Sequence, residues 1–88
     1  MSAHGWRLQI TRPAEKAIAA MPAQDRVALE SRLQLLAIDA TERLDIGKVQ
    51  GKEGEFRLRS GAWRAGFTRD RQTYTVTVIW VAQRKDAY

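Results

Sequence analysis

Arg57, Arg59 and Arg64 fall within two runs that alternate apolar and polar residues, and Arg84, Lys85 and Tyr88 follow a third such run. Guanidinium groups bind phosphate through planar, bidentate hydrogen bonds and stabilise charge on its oxygens. A phenol beside them can stack on an unpaired base. Such a set suits a phosphodiester backbone. Cysteine is absent and His4 is the single histidine, which excludes thiol catalysis, a His-based triad and a multi-histidine metal site. No carboxylate cluster accompanies the basic residues, which counts against two-metal cleavage, so neither metal nor cofactor is expected. RNA carries its own nucleophile, the 2′-OH. A site that aligns it with phosphorus and stabilises the phosphate needs no metal. Arginine is a poor proton donor or acceptor, and a Tyr or Lys serves only where clustered cations lower its pKa. The residues therefore permit a metal-free ribonuclease without demanding one. A basic face that only grips nucleic acid or an acidic protein stays open.

The charge behind this reading is unevenly placed. The chain has 88 residues, with 15 Lys and Arg against 10 Asp and Glu, a net charge of +5 and a pI of about 10.2. Residues 1–45 hold six basic and six acidic residues and sum to zero, whereas residues 46–88 hold nine basic and four acidic residues and carry the whole +5. Eleven of the basic residues are Arg. This asymmetry points to an anionic partner. At 44% hydrophobic and 28% charged the composition is globular, and the length fits one domain, 1–88, with a modest core. No apolar run is long enough to span a membrane and no basic-then-apolar leader opens the chain, so a cytoplasmic protein is expected.

The elements that must position these residues are legible as periods. Trp6, Leu8 and Ile10 alternate with polar residues and predict a short strand. Thr11 and Pro13 mark a helix start, with Ala14, Ala17, Ile18 and Met21 at helical spacing, and Pro22 ends this helix. A second helix is predicted over 23–40, its stripe formed by Leu29, Leu33, Leu36 and Ala40 and widened by Leu35 and Ile38. Residues 45–54, with three glycines and no period, predict a loop. Three strands follow: one through Phe56, Leu58 and Ser60, one through Trp63, Ala65 and Phe67, and a longest, apolar one through Tyr74, Val76, Val78 and Trp80, expected to be central. The fold class is α+β: an N-terminal strand, a helix hairpin, then a three-stranded antiparallel meander with the helices on one sheet face. Strand parity sends Phe56, Leu58, Trp63, Ala65, Phe67, Tyr74, Val76, Val78 and Trp80 to the helices. It sends Arg57, Arg59 and Arg64 to the open face, over which Arg84, Lys85 and Tyr88 can fold. Trp63, Tyr74 and Trp80 are thus expected in the core and His4 as an exposed bystander.

Three stretches together carry a resemblance: Thr11–Lys16 with the Met21-Pro22 hinge, Phe56–Arg64, and Val81–Tyr88. Over nearly its whole length the chain resembles the RelE/ParE superfamily of toxins from bacterial type II toxin–antitoxin pairs. In the RelE branch the resemblance implies a metal-independent endoribonuclease that cuts mRNA in the ribosomal A site. By matching position, Arg64 looks like the strand arginine that stabilises the scissile phosphate. Arg84 looks like the arginine credited with protonating the leaving group or stabilising the transition state. Tyr88 looks like the terminal tyrosine that orients or activates the nucleophile or stacks on a base. Lys52, Arg57, Arg59 and Lys85 are the corresponding RNA-binding candidates. The implied partners are the ribosome and mRNA, and an acidic cognate antitoxin covering the basic face. The ParE branch shares the fold but poisons DNA gyrase, and it typically lacks the terminal Arg…Tyr arrangement, which favours RelE. Two positions depart from the pattern. Gln83 stands where many members have His, and Glu55 where some ribonucleases of this branch have Lys; both lower the cationic and acid–base capacity.

Overall fold

Why the chain folds as it does is clearest at its apolar stripes. The structure, a computed structural model, describes residues 5–84. Strand β1 (Arg7–Ile10) leads into helix α1 (Arg12–Ala19), then α2 (Ala23–Ala37), a short 3-10 turn, and strands β2 (Asp45–Lys48), β3 (Glu55–Ser60), β4 (Trp63–Asp70) and β5 (Thr75–Gln83). The sheet order is β1-β5-β4-β3-β2, with β1 parallel to β5 and the other pairs antiparallel. Ala14 and Ile18 of α1, Met21 of the hinge, and Leu29, Leu33 and Leu36 of α2 form one core with Leu58, Ala65, Phe67, Val76, Val78 and Val81 from the sheet. Burial of the larger of these side chains, roughly 1.5–3 kcal/mol each, is what holds both helices to one face.

Two polar contacts set how α2 lies on the sheet. Trp63 Nε1 donates to Asp25 Oδ2 at 2.9 Å, and Arg32 Nη1 donates to Ser60 Oγ at 3.1 Å. Trp63 therefore packs against the core as parity predicts, with its polar edge satisfied by the first turn of α2.

Five expectations are corrected. The meander has a fourth strand: residues 45–48, read as loop, pair with β3 from Asp45↔Arg59 to Lys48↔Phe56. With Ile46 as their one apolar side chain these residues display no period, and it is the exposed edge of β3 that recruits them. Secondly, β4, not β5, is the middle strand of the five. Thirdly, α2 ends at Ala37, and Ile38 is 61% exposed rather than part of the stripe. Asp39 then takes a φ of 61°, which stops the helix.

The fourth correction bears on the site. β4 and β5 pair Gly66↔Trp80 and then Phe67↔Val78, so Ile79 is an extra residue in a β-bulge. Side-chain alternation slips by one there. Val78 and Val81 face the helices, and Trp80 joins Gly66 on the opposite face. Thr11 anchors the bulge, its Oγ1 donating to Ile79 O at 3.1 Å while its N–H donates to Val78 O at 3.0 Å. Tyr74 also leaves the core: it lies in the β4–β5 turn with a φ of 50° and is 62% exposed. Its ring meets Trp6 edge-on at 5.4 Å, and Arg69 lies 4.3 Å over Trp6 while pairing with Asp39 at 2.9 Å. This cluster ties β1, the end of α2 and the β4–β5 turn together, and it commits Arg69 to structure. His4, Lys85 and Tyr88 lie outside the described residues.

Candidate nucleic-acid interface

The face turned away from the helices is organised in rows by strand register. One row runs Asp45, Arg59, Arg64, Ala82, and the next runs Gly47, Arg57, Gly66, Trp80. A third holds Glu55, Thr68 and Thr77. Successive rows are two residues apart, about 6.5–7 Å along the strands. Parity thus places Arg57, Arg59 and Arg64 on one face, as the alternation predicts.

Their environments differ. Arg64 is only 2% exposed. Its Nη1 donates to Gly61 O and Trp63 O, both at 2.9 Å, so the guanidinium curls back onto the β3–β4 turn. Its Nε is buried without a hydrogen-bond partner, and no carboxylate pairs with it among the described residues. A buried cation held by carbonyl dipoles alone is costly, and an incoming anion relieves that cost. Arg59 is half exposed and sits 3.5 Å from Asp45 Oδ2, a weak surface pair. Arg57 is partly buried, its guanidinium reaching over Gly47, where a Cβ would lie 3.0 Å from Nη2.

The β3–β4 turn also positions Arg84. Gly61, with a φ of 61°, supplies the left-handed conformation at the first position of this two-residue hairpin. Gly61 O accepts from Arg64, and Ala62 O accepts from the backbone N–H of Arg84 at 2.6 Å. The end of β5 is thereby fastened beside the Arg64 turn, with the Arg84 side chain exposed. Lys52 lies at the other end of β3, in the β2–β3 loop, where its N–H donates to Val49 O and its carbonyl accepts from Glu55 N–H. The loop is exposed and adjoins the Glu55 row rather than the Arg64 row.

Parity alone missed Trp80. Its Nε1 donates to Glu55 Oε2 at 2.8 Å, so the indole passes over β4 to reach β3. The passage needs Gly66, since a Cβ there would run into Nε1 and Cε2 of the ring. The signal was available: a lone glycine inside a strand pattern marks a bulge or a close approach. Among the described residues no group of three or more His, Cys, Asp or Glu gathers to hold a metal, and no helix is long and apolar enough to cross a membrane.

No protein-family model matches the sequence, and no curated protein matches it. Solved structures do match. The toxin–antitoxin neighbours include an archaeal RelE–RelB complex from Pyrococcus horikoshii OT3, with a TM-score of 0.80 at 18% identity over 96% of this chain and 100% of that one. The RelBE2 toxin–antitoxin complex of Mycobacterium tuberculosis gives 0.73 at 20% identity, covering 92% of this chain and 100% of that one. The intact E. coli RelBE toxin–antitoxin complex gives 0.67 at 23% identity, covering 89% and 95%. With its helix pair on one face of a five-stranded sheet, the chain therefore has the RelE toxin fold.

Proposed function

We propose that this chain is the toxin of a type II toxin–antitoxin pair and a metal-independent endoribonuclease that cuts mRNA in the ribosomal A site. The observation that carries the reading is Arg64: a buried guanidinium on the open sheet face, oriented by Gly61 O and Trp63 O and unpaired with any described carboxylate. The two carbonyls fix the orientation of the guanidinium, and because the residue is 2% exposed the site must open for a phosphate to reach it.

In the proposed step the 2′-oxygen attacks the adjacent phosphorus in line with the 5′-oxygen. The P–O5′ bond breaks, leaving a 2′,3′-cyclic phosphate and a 5′-OH. Arg64 stabilises the charge that builds on the non-bridging oxygens. Arg84, fastened beside the same turn, stabilises the leaving 5′-oxygen, Tyr88 orients or activates the nucleophile, and the proton lost from the 2′-OH passes to water, which also supplies the proton that the 5′-oxygen gains. Arg57, Arg59, Lys52 and Lys85 bind the flanking backbone. The ribosome supplies the alignment of mRNA that so small a protein lacks.

The partner at rest is an acidic antitoxin segment lying over this face, which would neutralise the arginines and exclude RNA. Similar structures are complexes of a RelE toxin with a RelB antitoxin, which supports this choice.

Toeprinting of mRNA on programmed ribosomes tests the reading. The wild-type protein is expected to give A-site cuts that Arg64→Ala and Arg84→Ala abolish. Intact mRNA together with inhibition of gyrase supercoiling would replace this reading by the gyrase-directed one. Salt-sensitive RNA binding without cleavage would leave a non-catalytic binding module.

A further inference from the structure

The row Gly47–Arg57–Gly66–Trp80 crosses four neighbouring strands, with a glycine beside each large side chain. Both large side chains use that space. Arg57 reaches over Gly47 on β2, and the Trp80 indole lies over Gly66 on β4. Both lean the same way, toward the β2 edge. The indole cannot swing freely, because Glu55 Oε2 holds its Nε1. The five-membered ring lies against Gly66, and the residue is partly exposed.

We infer that this row is a base-stacking shelf, on which Trp80 receives an unpaired RNA base next to a phosphate held in the Arg64 row. The inference rests on the reading of the chain as an RNA-cutting toxin and adds a substrate-positioning residue to it. An indole laid down on a sheet and fixed at its edge presents a plane already oriented for stacking. The neighbouring guanidinium of Arg57 extends the surface with a second planar, cationic group. Trp80 stands one row from Arg64, two residues along the strands, so a base on the shelf flanks a phosphate at Arg64. The indole N–H occupies Glu55 Oε2 and so fixes where this carboxylate lies on the face. Stacking on an indole is tolerant of base identity, so the shelf orders the strand more than it reads sequence.

The test is binding of a short single-stranded RNA, and of the same strand carrying abasic sites, read by fluorescence anisotropy with wild-type protein, Trp80→Leu and Trp80→Tyr. Trp80→Leu is expected to weaken binding of the base-bearing RNA about tenfold and leave the abasic RNA unchanged. Trp80→Tyr, which keeps an aromatic plane, is expected to restore most of the difference. An equal loss for both RNAs, or no loss for either, would overturn the shelf. Should Trp80→Leu not fold, the wild-type protein and Tyr88→Ala with 2-aminopurine RNA decide it. Quenching that persists in Tyr88→Ala supports the shelf, and its absence overturns it. Toeprinting separates this inference from the one beneath it. Wild-type cutting with unchanged kcat and KM in Trp80→Tyr and Trp80→Leu sinks the shelf alone, whereas failure of the wild-type protein to cut sinks the ribonuclease reading.

Discussion

Trp80 Nε1 donates to Glu55 Oε2 at 2.8 Å, a contact from β5 to β3 that crosses over β4. It assigns a structural role to an acidic residue that otherwise only subtracts charge from a basic face. Glu55→Lys removes the acceptor and adds two units of positive charge. Urea unfolding is expected to show a loss of about 1 kcal/mol, the worth of one hydrogen bond. RNA binding is expected to become more salt-sensitive, the log–log slope steepening by about 0.7 for each phosphate newly neutralised.

Gly66 tests the close approach directly. A Cβ at this position meets the Trp80 ring, so Gly66→Ala is expected to cost about 1–3 kcal/mol in urea unfolding. In Gly66→Ala combined with Trp80→Ala the clash has no partner. The two losses should therefore be smaller together than their sum, and simple additivity would show that the ring does not lie there.

Arg64 separates charge from geometry. Arg64→Lys keeps the cation but loses the planar fork that Gly61 O and Trp63 O orient. Single-turnover cleavage on the ribosome is expected to fall about 100-fold, the cost of removing one positioned donor at a developing anion. Cleavage at the wild-type rate would show that only the charge matters.

Thr11 reports on the bulge. Its hydroxyl donates to Ile79 O, the carbonyl of the extra residue in β5. Thr11→Val is expected to lower stability by about 1 kcal/mol in thermal or urea unfolding, whereas Thr11→Ser should lie near wild type. A loss in Thr11→Ser with Thr11→Val near wild type would assign the effect to the methyl group.

The pattern of the sequence by itself determined the order of β1, α1, α2, β3, β4 and β5, the helix hairpin, most of the apolar stripes and the face that carries Arg57, Arg59 and Arg64. These rest on local periods of 3.6 and 2, which each element displays within its own residues. What only the tertiary structure decided depends on a partner far along the chain. Residues 45–48 become a strand because β3 offers an edge, and Tyr74 leaves the core because the turn it occupies needs a positive φ. Arg64 is buried although its register faces outward, since its guanidinium finds Gly61 O and Trp63 O. Trp80 changes face because one extra residue, Ile79, is accommodated opposite β4 and anchored by Thr11, 68 positions away in sequence. A bulge reverses parity for everything beyond it, and no count along a single strand reveals where the neighbouring strand will demand one.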